Sequence, residues 1–171
     1  MFIIKIQPNK INSYSKHKKT IEYDEELDDI TSVILDICSY FEELNVISFL
    51  VQCFTDMKWP VDVESDLASI IPQVPNALEK LKIRANFSIQ FFEQGIEREL
   101  HFKCEKNDVL IECFSLLGNP VTSEIEKIQY EDLFSMLKSL IEKFISISKT
   151  VCPIVTNHFL FKEWESAYYD I

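Results

Sequence analysis

Phe87-Ser88-Ile89-Gln90-Phe91 sets large apolar residues against polar ones at every second position, and Glu99-Leu100-His101-Phe102-Lys103-Cys104 does the same on a return leg. Successive side chains of a strand point to opposite faces, so each stretch has one face to bury and one to leave wet. Gln94-Gly95 supplies a turn between them, and Asn107-Asp108 a second turn into Val109-Leu110-Ile111-Glu112-Cys113-Phe114. The pattern predicts a three-stranded antiparallel meander over about 86–116. Gly118-Asn119-Pro120 ends it.

Outward from this meander the period changes. Leu27, Ile30, Ile34, Ile37 and Phe41 recur every three or four residues, with Val33 and Cys38 widening the stripe, which predicts a helix over 24–43. Leu133, Leu137, Leu140, Ile141 and Phe144 predict another over 130–148. Phe2 to Ile6, closed by Pro8, and Asn45 to Phe54 are rich in β-branched and aromatic residues. They predict strands near 2–7 and 45–54, joining the meander in an antiparallel sheet. Val61 to Ile71 reads as a short helix stopped by Pro72, and Ala77 to Lys82 as another. The expected class is α+β, in a single domain over 1–171.

Charge is unevenly divided. All 28 acidic residues lie from Glu22 onward, whereas the first 21 residues hold five lysines and no acid. Those lysines read as part of a short strand and a polar loop. Such an anionic chain repels nucleic acid and anionic lipid, and attracts cationic partners at long range. No run approaches the roughly 20 apolar residues of a membrane span. The start of the chain also lacks the ordered parts of a signal peptide. A soluble cytoplasmic protein is the expectation, with five scattered cysteines kept as reduced core residues.

The residues of catalysis are scarce. Two glycines, Gly95 and Gly118, permit neither a phosphate loop nor a Gly-x-Ser-x-Gly elbow. His101 and Cys104 lie three apart on a strand, on opposite faces, which is a poor start for a zinc site. No catalytic residue, cofactor or metal is expected. The candidates that remain belong to partner binding. Asp24, Glu25, Glu26, Asp28 and Asp29 crowd the predicted helix start, where the helix dipole favours carboxylates. Asp62 and Asp66 share one face of the next helix. Trp59, Trp164, Tyr168 and Tyr169 are candidate anchors, because such side chains bury large area behind a polar tip.

Taken with the strand Phe2–Ile6, the acidic helix Asp24–Glu43 and the meander Phe87–Phe114, this acidic chain resembles an immunity protein of a bacterial polymorphic toxin system. The contact-dependent growth inhibition immunity proteins are the group named by that likeness. The resemblance implies a cognate basic protein toxin as partner, of the nuclease class, neutralised by covering its active site. Competing expectations are an acidic DNA mimic, an adaptor using an exposed sheet edge, and a carboxylate-based hydrolase.

Overall fold

The structure is a computed structural model that describes residues 1–9, 22–24, 26–54, 57–92, 97–115, 117–119 and 121–170, without the side chains of 57 and 58. It is an α+β fold of two antiparallel sheets packed against helices. The strands expected to share one sheet fall into two. The first has the order β1-β2-β3, formed by β1 (Ile3–Pro8), β2 (Ile47–Cys53) and the two-residue β3 (Met57–Lys58). The second has the order β4-β5-β6-β7, formed by β4 (Phe87–Phe91), β5 (Arg98–Glu105), β6 (Asp108–Ser115) and β7 (Glu126–Gln129). The expected meander is there with its alternation intact, since Leu100, Phe102, Val109 and Ile111 are buried. Its expected Gln94-Gly95 turn lies outside the described residues, as does most of the lysine-bearing loop.

Between β1 and β2 runs α1 (Ile30–Glu43). It buries Val33, Ile34, Ile37, Cys38 and Phe41, the stripe that the periodicity marks. The helix starts six residues later than expected. Asp24 and Asp28 hold a separate turn, in which the Asp28 carboxylate accepts from the Asp24 amide at 2.8 Å. Asp29 is the cap, its Oδ1 accepting from the amides of Thr31 (2.7 Å) and Ser32 (3.3 Å). At the other end, Val46 N donates to Phe41 O and Asn45 N to Glu42 O, with Asn45 at φ 49°. This is a Schellman ending in which asparagine fills the left-handed position usually given to glycine.

Residues 63–82 form a continuous helical ribbon rather than two helices. A π-turn at Val63–Leu67 leads into α2 (Ala68–Ile70), a 3-10 turn at Ile71–Gln73 and α3 (Val74–Lys82). Pro72 does not stop it. Proline lacks the amide that would satisfy a carbonyl one turn back, and next to it the Gln73 side chain ties the ribbon to itself, its Nε2 donating to Ser69 O at 2.8 Å.

The chain closes with α4 (Tyr130–Val151), α5 (Pro153–Thr156) and α6 (Phe159–Tyr169). Both sheets and the helices share one cluster of buried residues. Phe41 meets Phe144 edge-on at 5.8 Å, and Phe2 meets Phe102 at 5.8 Å. Glu126 ties the sheets together, its Oε1 accepting from the Met1 amino group at 3.0 Å and from the Phe54 amide at 2.7 Å.

Candidate functional site

Residues 22–57 contain ten carboxylates and no lysine, arginine or histidine. Most of them sit on α1 and its approach. Asp24, Glu26 and Asp29 are exposed and Asp28 half-buried, while Glu42 and Glu43 are exposed at the far end. Glu25 lies outside the described residues. Alongside α1, the Ser39 hydroxyl donates to Glu64 Oε1 at 2.9 Å, which brings the second acidic cluster next to the first helix. Asp36 belongs to the same side and accepts from the Tyr23 hydroxyl at 2.8 Å. Burial, and then the bond to Asp36, push the Tyr23 phenol well above its ordinary range.

Part of this acid is structural. The Asp24 carboxylate accepts from the Glu26 amide at 2.8 Å, and Asp29 is spent on its cap. Asp62 and Asp66 do not present a shared acidic face as expected. Asp62 caps the ribbon by accepting from the amides of Ser65 (2.7 Å) and Asp66 (3.2 Å). Asp66 is buried and turns its Oδ2 back to the Asp62 amide at 2.9 Å. The two are a reciprocal capping pair, and only Asp62 reaches the surface.

The aromatic residues divide differently from the expectation. Trp59 is a core residue, not a surface anchor. It is buried against Phe91 at 5.1 Å, with the Arg98 guanidinium 4.9 Å from its ring centroid. Trp164 is half-buried against Phe144 and Phe161. Tyr168 is buried, and burial together with nearby Glu142 pushes its hydroxyl up to about 12. Tyr169 alone of the four is exposed. With Leu78, Phe134 and Lys138, Tyr168 and Tyr169 edge a hollow of about 130 Å³ between α3, α4 and α6.

Two apolar residues stand exposed in the acidic region, Leu27 against its expected place in the buried stripe and Leu35 missed by sequence reasoning. Leu27 is 84% exposed before α1, and Leu35 is 49% exposed on it. Leu35 could have been found, because it falls outside the stripe set by Ile30, Ile34, Ile37 and Phe41. The Tyr23 ring packs at a tilt on His158 at 4.9 Å, and His158 likewise on Phe159 at 4.6 Å, which sets the exposed Phe159 near this region. The resulting face is acidic, with apolar points inside it.

The open face of the second sheet has a different character, for its charges pair among themselves. Lys103 meets Glu112, Lys127 meets Asp108 at 2.7 Å, and His101 meets Glu99 at 3.0 Å. Hydrogen bonds from Ser88, His101 and Gln90 hold the Glu99 carboxyl down at about 2. Among the described residues, no group of three histidines, cysteines or carboxylates is placed to hold a metal. Cys38, Cys53, Cys113 and Cys152 are buried, and burial raises each thiol, Cys113 to about 11 and Cys152 to about 12. Such thiols are poor nucleophiles at neutral pH. No helix among the described residues is long and apolar enough to cross a membrane. No family model matches the chain, and no curated protein or solved structure is found similar to it.

Proposed function

We propose that this chain is a cytoplasmic binding protein that holds a basic protein partner against the α1 face and blocks it, acting as the immunity protein of a toxin of the nuclease class. One observation carries the reading. Ten acids without a base run through residues 22–57, and α1 and its approach display most of them beside exposed Leu27 and Leu35. A nuclease must present cationic groups to phosphates, so an anionic surface meets it quickly and covers the groups it needs. The carboxylates set the rate of encounter, and the leucines supply desolvated contact. The five cysteines stand unpaired in the fold, as suits a reducing compartment.

The test takes the product of the neighbouring gene as the candidate toxin and measures its association with this chain at about 50 and about 500 mM salt. The expected result is a one-to-one complex that loses nuclease activity, with an on-rate falling at least about tenfold across that range. Glu26→Lys, Glu42→Lys and Glu43→Lys together should lower the low-salt on-rate by a similar factor. An unchanged on-rate and salt slope in that triple variant sinks the proposal.

A further inference from the structure

Two sheets have four outer edges; in this fold two of them carry a side-chain contact and a third is short. The edge of β1 lies against α4, where the Ile4 amide donates to Met136 Sδ at 3.2 Å. The β3 edge is two residues long. The β4 edge is occupied by Gln73, which bonds both backbone groups of Gln90. Only β7 remains. Tyr130 N donates to Asn107 O at 2.9 Å, continuing the ladder to β6. By alternation the backbone groups of Ile128 face β6, and those of Lys127 and Gln129 face outward.

This open edge borders a groove of about 720 Å³ between the start of β1, β7 and α4. Phe2, Ile128 and Met136 give the groove an apolar lining, and Asp132 and Ser135 come from α4. Val121 and Ile125 stand exposed just ahead of β7, and Val121 N donates to Cys113 O at 3.0 Å along the same side of β6. The Met1 amino group at the groove is held by Glu126. Lys127 is engaged by Asp108, whereas Asp132 is exposed and carries no ion pair among the described residues.

The geometry points to β7 and its groove as the seat of an extended, basic segment of the partner protein, which adds a strand to the second sheet. Backbone bonds to Lys127 and Gln129 fix the segment, alternate apolar side chains fill the groove, and a cationic residue meets Asp132. The inference rests on the reading of a basic partner and adds a second contact remote from the α1 acids.

The probe is a blocked hexapeptide of alternating valine and lysine, titrated into the full chain and followed by amide NMR shifts. Saturable shifts are expected at residues 121–129 and 1–3, with slowed exchange of the Lys127 and Gln129 amides. The same peptide with alternate backbone nitrogens methylated should bind at least about tenfold more weakly, because it cannot complete the ladder. Ser135→Trp, at an exposed α4 position, should abolish the shifts, and Asp132→Lys should weaken binding about tenfold. Equal binding of the methylated peptide overturns the inference, as does a self-associated chain whose β7 amides are already protected by a second copy. Shifts confined to residues 22–43 overturn it too, while leaving the α1 proposal standing.

Discussion

The side-chain amide of Gln73 pairs with both backbone groups of Gln90, donating from Nε2 to the carbonyl at 2.8 Å and accepting at Oε1 from the amide at 2.9 Å. It occupies the outer edge of β4 as a neighbouring strand would. An unpaired edge is a template for other chains. Gln73→Ala removes these bonds and the one to Ser69, and should cost about 2 kcal/mol in urea unfolding. The variant should also scatter more light than the parent at high concentration. Equal stability and equal scattering would show that water replaces the amide without penalty.

Glu99 gives the fold an acid limit. Its carboxyl is held at about 2 by hydrogen bonds from Ser88, His101 and Gln90, against an ordinary value of 4.5. A folded-state value below the unfolded one means that this stabilisation is complete above about pH 4.5 and is lost as pH falls toward about 2. Glu99→Gln should flatten that part of the stability profile and leave its slope above pH 6 unchanged. Urea midpoints measured at several pH values decide it, and an acid limb as steep as the parent's would refute the assignment.

Trp59 separates packing from recognition. Its ring is buried, and its Nε1 has no hydrogen-bond partner among the described residues. Trp59→Phe should therefore cost less than about 1.5 kcal/mol, and Trp59→Ala about 3–5 kcal/mol. Partner on-rates of whichever variants remain folded should match the parent. A Trp59→Phe variant with full stability but lost binding would return this residue to the interface.

Lys106 adopts φ 52° in the two-residue turn between β5 and β6. A side chain in the left-handed region costs roughly 1–2 kcal/mol, against which glycine's greater unfolded freedom takes back about half. Lys106→Gly should raise stability by up to about 1 kcal/mol, seen as a higher midpoint at unchanged slope in denaturant.

Residues 87–115 and 130–151 were legible because their apolar spacing runs long enough to repeat. Glu126-Lys127-Ile128-Gln129 was not, since four residues with one buried side chain, Ile128, display no period. The start of α1 was misplaced for a chemical reason. Carboxylates at 24–28 look like a helix's first turn, yet Asp24 and Asp28 bond the backbone of their own turn and leave Asp29 as the cap. Of the candidate site, the acids of the α1 approach were readable as a cluster, and their neighbour Glu64 was brought in by the tertiary fold. The aromatics misled, because Trp59 and Tyr168 stand among charged residues in sequence but beneath other elements in space.

Gln73 has an evolutionary consequence. Its amide bonds Ser69 O on its own ribbon and both backbone groups of Gln90 on a strand. Because these partners are main-chain groups, the contact leaves the side chains at 69 and 90 free to change, whereas position 73 needs a long side chain that both donates and accepts. Descent should therefore show substitutions at 90 accumulating with no matching change at 73, where glutamine persists.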